Sequence, residues 1–200
     1  MADGDTIPLY VSKTTERKPL KRIRRFSRPF EVGFAALAIG ASLMALLIVI
    51  MSFAPGGPYV FFTPDGGWLT TDLETVPEGA VAFIDLPLSA KIVGLVALAF
   101  GYGTKVTGFL CLSRLFGFYR RGLVFDAAAV RIMRTAGVFL VLAAAAPGLM
   151  QPFLRVAGSI DENWFHTESV ALLLVGAALV LFAQIMSLGM EIERENRGFI

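Results

Sequence analysis

Four long apolar stretches constrain the fold of this chain more than any other feature. They run over Phe34–Phe53, Leu88–Phe109, Ala136–Phe153 and Ser169–Gly189. A helix needs roughly 20 mostly apolar residues to cross a bilayer, and each stretch has about that length. Hydrophobic residues make up 56% of the chain and charged residues only 17%, which is too apolar for the solvated surface of a soluble domain. The sequence therefore predicts an all-α membrane protein built as a four-helix transmembrane bundle.

The distribution of charge predicts the orientation of these helices. The segment before the first stretch is rich in Lys and Arg, from Lys13 to Arg28, and the connection after the second stretch is also basic. The connection between the first two stretches is acidic and carries Asp65, Asp72, Glu74, Glu78 and Asp85. The positive-inside rule places the basic segments in the cytoplasm, so we expect both termini there. Attraction to anionic lipid headgroups accounts for the basic run before Arg28, and we expect no nucleic-acid partner.

These patterns divide the chain into eight segments. The predicted segments are a basic cytoplasmic tail (1–30), transmembrane helix 1 (31–54), an outer connection (55–87), transmembrane helix 2 with a cytoplasmic extension (88–121), a basic cytoplasmic connection (122–135), transmembrane helix 3 (136–157), a short outer connection (158–168) and transmembrane helix 4 with a charged cytoplasmic tail (169–200).

The first outer connection has a β pattern of its own. Tyr59–Thr63 and Trp68–Asp72 are β-prone runs, and the residues between them, Pro64–Gly67, favour a tight turn. Val81–Leu86 offers a third strand. We therefore predict a small extracytoplasmic β hairpin that caps the outer ends of the helices. A structural role for this cap is favoured over ligand binding, because interfacial aromatic residues need no ligand to explain them.

The cytoplasmic connection between helices 2 and 3 has clear signals for where each helix ends and begins. No proline lies between Leu88 and Tyr119, which predicts one helix of about 48 Å that extends beyond the bilayer. Gly122 permits a break, and Asp126 can cap a new helix that continues into the third span.

Small residues suggest where the helices pack closely. They recur at Ala36 and Gly40 in the first span and from Ala143 to Ala146 in the third. Such residues let helix backbones approach one another in lipid.

Two polar residues lie within the predicted spans. Lys105 is the only formally charged residue well inside a span, and Gln184 is expected at a similar depth on the fourth helix. Intramembrane charges are costly and often functional, so a small transporter or channel that uses both residues is one interpretation. The other is that Lys105 extends to the inner headgroups. No Asp or Glu is expected inside any span, which weakens the transport interpretation.

The residue types needed for catalysis or metal binding are not arranged in known patterns. The sequence has no glycine-rich phosphate loop, no paired nucleophile and base, and no HExxH helix. Cys111 is the only cysteine, and His166, the only histidine, lies near Asp161, Glu162 and Glu168 in a short loop, which is weak support for a metal site. We predict that the chain is not an enzyme and binds no cofactor or metal.

Opposite charges are expected to meet at the cytoplasmic ends of the helices. The predicted surface comprises Arg120, Arg121, Arg131, Arg134, Glu191, Glu193 and Glu195. One hypothesis is that this surface docks a cytoplasmic regulator, another membrane subunit or a second copy of the chain. An equally simple hypothesis is that it only stabilises the bundle, since exposed ion pairs hold weakly.

Most of the chain, from the first helix onward, resembles a known family, and the residues that carry the resemblance lie in the second half. The run from Tyr119 to Phe125 (YRRGLVF), Arg131, Arg134 and Gly137, together with the final residues Glu193–Asn196 and Phe199–Ile200, carries the resemblance. The sequence is similar here to the bacterial membrane proteins catalogued as domain of unknown function family 2975. The resemblance implies a multi-pass protein of the bacterial inner (cytoplasmic) membrane with no established activity, whose relatives are often encoded beside small helix-turn-helix regulators.

Overall fold

Helices dominate the computed structural model, which describes residues 17–54, 60–63, 66–69, 81–156 and 167–197. The long helices are α1 (Arg17–Phe53), α2 (Leu88–Arg121), α3 (Ala127–Val156) and α4 (Thr167–Arg197). The strands are β1 (Val60–Thr63), β2 (Gly66–Leu69) and β3 (Val81–Ala82). All four helices are long and apolar enough to cross a membrane. This confirms the four predicted membrane-spanning helices and gives the chain the make-up of a multi-pass membrane protein.

The helices pack in chain order, each antiparallel to the one before it. The extensive helix interfaces among the described residues are α1 with α2, α2 with α3, and α3 with α4. Helix α3 therefore has a neighbour on both sides and supplies many of the buried residues, whereas α1 and α4 leave large apolar side chains exposed on their outer faces. Exposed apolar side chains on membrane-spanning helices suit contact with lipid.

The main core joins α2, α3 and α4. Leu112 and Leu115 of α2 pack with Met133 and Leu140 of α3 and with Ala183 of α4. Leu140 is the largest side chain that is almost completely buried, at 1% exposed. This core lies in the half of the helices that is nearer to the turn between α2 and α3.

A tight turn joins α2 to α3, as the glycine and aspartate signals predict. Gly122 has a φ of 84°, the left-handed conformation that favours glycine, and its amide donates to the carbonyl oxygen of Tyr119 over 3.0 Å. The Asp126 carboxylate accepts from the amide of Ala128 over 2.7 Å and caps the start of α3. Helix α3 thus begins at Ala127, and most of the segment predicted as a connection (122–135) is helical.

Helix α1 begins earlier than the apolar pattern indicates. It starts at Arg17, inside the segment assigned to the tail (1–30), and continues through Pro29. Proline removes one backbone hydrogen bond from a helix interior. Packing explains why the helix persists: Phe30 and Phe34 both stack on Phe116 of α2, with ring centroids 5.1 and 5.7 Å apart.

A three-stranded sheet lies in the connection between α1 and α2. Strand β1 is central and pairs antiparallel with β2 and with β3. Thr63 pairs with Gly66, so Gly66 and Gly67 belong to a strand and not to the predicted four-residue turn. Of the predicted third strand, Val81–Leu86, only Val81–Ala82 forms a strand of the sheet.

The rest of this third segment turns into a short 3-10 helix at Phe83–Asp85 because its apolar side chains pack on the helix ends. Phe83 is buried and meets Phe53 of α1 edge-on at 5.4 Å. The Lys91 ammonium donates to the carbonyl oxygen of Ile84 over 2.7 Å. The sheet is thereby joined to α1 and α2.

Candidate functional site

Charged side chains collect at one end of the helices, which we call the basic end: the beginnings of α1 and α3 and the ends of α2 and α4. All the residues of the predicted Arg/Glu surface lie on the helices that meet there, Arg120, Arg121, Arg131, Arg134, Glu191, Glu193 and Glu195. The described side chains of this set fall into three groups with different surroundings.

Arg120 pairs with an acid of α1, not with the glutamates of α4. Its Nε lies 3.1 Å from Oε2 of Glu31, and the two side chains are 46% and 25% exposed. Arg24 of α1 donates from Nε to the Arg120 carbonyl oxygen over 2.8 Å. The Ser113 hydroxyl donates to the Glu31 carbonyl oxygen over 2.9 Å. We call these four residues the α1–α2 clasp.

The Glu31 carboxylate depends on Arg120 for compensation of its charge. Its Oε2 atom is buried and has no aligned hydrogen-bond donor among the described residues. Gly117 of α2 faces the other oxygen, since a Cβ added there would lie 3.4 Å from Oε1. A buried acceptor without a hydrogen bond is costly, so the nearby guanidinium is the main favourable contact of this oxygen.

Glu31 is an acid that the apolar pattern does not single out. It lies three residues before the predicted apolar stretch Phe34–Phe53, within the helical range Ile23–Phe53, and the expectation that no acid occurs inside a span stays a prediction. The signal was present, because Glu31 is the one acid between the basic run and the first apolar stretch. Its significance depends on the early start of α1, which the apolar pattern does not reveal.

The second group of charges is exposed. Arg121, Glu191 and Glu195 are exposed, and none of them joins an ion pair among the described side chains, where the ion pair is Arg120–Glu31. The structure therefore does not join the arginines of the basic end to Glu191 or Glu195. The side chain of Glu193 lies outside the described part of the chain.

The third group forms a groove between α3 and α4. Arg131 and Arg134 line it from α3, and Gln184 and Ser187 line it from α4. Val130, Ala183 and Leu188 complete the lining. We call this feature the arginine groove.

Lys105 lies in a different cavity, between α2 and α3. Its Nζ is 5.9 Å from the centre of the Tyr102 ring, and Ala143 and Pro147 line the same cavity. The structure does not bring Lys105 and Gln184 together. Ala143 of α3 lines the cavity of Lys105, and Arg134 of α3 lines the groove of Gln184. These two α3 residues are nine positions apart, which is about 14 Å along the helix. The two polar residues therefore differ in depth.

No group of three or more His, Cys, Asp or Glu side chains that would hold a metal ion occurs within the described ranges. His166, Asp161 and Glu162 of the predicted loop lie outside those ranges.

Comparisons of the chain with protein-family profiles, curated proteins and solved structures found no match.

Proposed function

We propose that this chain is a multi-pass protein of the bacterial inner membrane that works by contact, as an interaction, regulatory or accessory subunit. Its contact surface is the set of charges at the basic end, and both termini lie on the cytoplasmic side. The observation that carries the proposal is that Arg121, Glu191 and Glu195 are exposed and join no ion pair among the described side chains. Membership of family 2975 stays a prediction.

The orientation follows from the side on which arginines cluster. The structure gathers Arg24, Arg120 and Arg131 at one end of the helices, and the positive-inside rule assigns such an end to the cytoplasm. The sheet between α1 and α2 then lies outside the cytoplasm, as a cap. Reporter fusions test this: a fusion at Ile200 or after Gly122 should report cytoplasm and one near Gly66 the periplasm, whereas reversed signals would overturn the orientation.

Contact with a partner is supported because these charged side chains form no ion pairs with the other described side chains of the chain. Long charged side chains that are exposed and unpaired contribute little to the stability of their own fold. They are free to meet a partner with a complementary set of charges, such as a cytoplasmic regulator or a membrane subunit. A purely stabilising role would require ion pairs between α4 and its neighbours, and the described glutamates of α4 make none.

Removal of the two described glutamates tests the docking surface. We expect a variant with Glu191→Gln and Glu195→Gln to insert normally and to keep its unfolding free energy within about 0.5 kcal/mol, because both side chains are exposed. It should lose partners that crosslink to the wild-type chain in native membranes and co-purify with it. Glu168→Gln, at the opposite end of α4, is the matched control and should keep them.

Two results would contradict docking. One is recovery of the wild-type chain alone after crosslinking in cells. The other is an equal loss of partners in the double variant and in the Glu168→Gln control, since the basic end would then have no special role.

Transport through Lys105 and Gln184 is the alternative function, and the geometry favours it less. The two residues line separate cavities, so they do not form one polar site. If Lys105 only extends towards the inner headgroups, Lys105→Arg should leave folding and function intact. Solute flux in liposomes that Lys105→Arg abolishes, in a normally folded protein, would support the transporter instead.

A further inference from the structure

The arginine groove brings two guanidinium groups together, and neither forms an ion pair with the described side chains. Arg131 and Arg134 are three residues apart and so project from the same face of α3. Both side chains are exposed. Among the described side chains neither joins an ion pair, whereas Arg120 has Glu31.

Helix α4 adds neutral donors to the same groove. The hydroxyls of Ser27, Ser42 and Ser52 each donate to a carbonyl oxygen four residues earlier in their own helix. Ser187 and Gln184 make no such bond with the described residues, and both line the groove. The groove therefore offers two guanidinium groups, an amide and a hydroxyl, which together suit an anion with several oxygen atoms.

The position of the groove indicates where that anion comes from. Arg134 lies two residues before Ala136, where the third apolar stretch begins, so the groove is at the level at which α3 enters the membrane. On α4, Leu181 lies one turn before Gln184, towards the apolar stretch, and Ile185 lies directly after Gln184; the two side chains are 58% and 63% exposed. Such apolar surface beside a cationic site fits the acyl chains of a lipid.

We propose that the arginine groove binds the phosphate group of an anionic phospholipid in the leaflet at the basic end. The guanidinium groups of Arg131 and Arg134 bind phosphate oxygens in the planar, two-pronged geometry that distinguishes arginine from lysine. Gln184 and Ser187 donate to the remaining phosphate or headgroup oxygens, and the acyl chains lie along Leu181 and Ile185. Basic grooves between membrane helices on the cytoplasmic side are suited to such headgroups.

This site differs from the predicted attraction of anionic lipid to the basic flank of α1. That attraction depends on net charge alone, whereas the groove has a defined set of lining residues. It uses two arginines of the surface proposed for docking, but it requires no protein partner. The two proposals can therefore fail separately: failure to bind lipid in a chain that keeps its partners would overturn only the groove, and failure to retain partners in a chain that binds lipid would overturn only docking.

Lipid titration of the purified full chain tests the site. Native mass spectrometry and thermal shift should detect binding of phosphatidylglycerol from mixed micelles and little binding of phosphatidylcholine. Arg131→Gln with Arg134→Gln should weaken phosphatidylglycerol binding about tenfold or more, because each removes a charge-assisted contact. Arg121→Gln, an exposed arginine outside the groove, is the control and should retain binding.

Two further measurements separate the groove from general charge. Arg131→Lys with Arg134→Lys keeps the charge and should still weaken binding, because lysine lacks the two-pronged geometry. Inorganic phosphate in the same titration should stabilise the protein far less than the lipid. The proposal is overturned if Arg121→Gln weakens binding as much as the double variant, if the lysine variant binds as well as wild type, or if inorganic phosphate matches the lipid.

Discussion

The interfaces α1–α2 and α3–α4 are built from different contacts, side chain on side chain in the first and backbone on backbone in the second. Helix α1 meets α2 through large side chains, the stacked rings of Phe30, Phe34 and Phe116, and through the clasp of Glu31 with Arg120. Between α3 and α4 the helix backbones themselves are close. A Cβ added at Gly137 would lie 2.6 Å from the Gly176 carbonyl oxygen, and one added at Gly176 would lie 2.8 Å from that of Gly137.

The comparison shows two ways to join helices where lipid is as apolar as the side chains. There is then no hydrophobic driving force for association of the helices, and packing and polar contacts must supply the stability of the bundle. Large rings tolerate small displacements, because a side chain can change its rotamer. Two backbones in contact have no such freedom, so we expect the α3–α4 interface to be the less tolerant of change.

The largest loss of unfolding free energy is expected when a methyl group is added at the contact between α3 and α4. Gly137→Ala and Gly176→Ala each place a Cβ within 3.0 Å of backbone atoms of the facing helix, so the helices must move apart. Each variant should lose about 2 to 3 kcal/mol of unfolding free energy, the upper range for overpacking. Thermal or SDS-induced unfolding of the purified protein measures this.

Gly40→Ala and Gly101→Ala are the matched controls, since no atom lies within 4 Å of a Cβ at either position. They should be neutral or slightly stabilising, because alanine favours helix. Equal behaviour of all four variants would show that close backbone contact does not hold α3 to α4.

A smaller effect is expected at the clasp. Glu31→Gln and Arg120→Gln should each lower the unfolding free energy by about 1 kcal/mol, a value at the upper end for surface pairs because Glu31 is only a quarter exposed while Arg120 is nearly half exposed. The double variant should lose less than the sum of the two, since the partner charge is no longer left alone. Strict additivity would mean that the two residues do not interact. Arg121→Gln, at an exposed arginine without an ion pair among the described side chains, should leave the unfolding free energy unchanged.

The smallest effect is expected where a glycine faces a side chain and not a backbone. A Cβ at Gly108 would lie 3.0 Å from Leu140 Cδ2, an atom that can turn away. Gly108→Ala should therefore change the unfolding free energy by less than about 1 kcal/mol, because helix propensity offsets the crowding. A loss as large as that of Gly137→Ala would remove the distinction between side-chain and backbone contacts.

The fold was more accessible from the sequence than the site. The predicted second helix coincides with α2, Leu88–Arg121, and Gly122 and Asp126 end and begin helices as their local chemistry dictates. Close packing at Ala143, Ala144 and Ala146 also agrees with their burial. Ala36 and Gly40 carried the same small-residue signal, yet both are exposed. Small size permits a close contact but does not say which helix face has a neighbour.

The sequence by itself determined features that depend on short stretches: four helices of membrane-spanning length, the turn signals at Gly122 and Asp126, and a clustering of arginine at one end of the helices. Which arginine meets which acid was decided by tertiary structure. Arg120 pairs with Glu31 across 89 positions of the chain (120 − 31), and Gln184 lies beside Arg134 and away from Lys105. Such pairings depend on the order and rotation of packed helices, which arise from contacts between distant segments and leave no periodicity in any one of them.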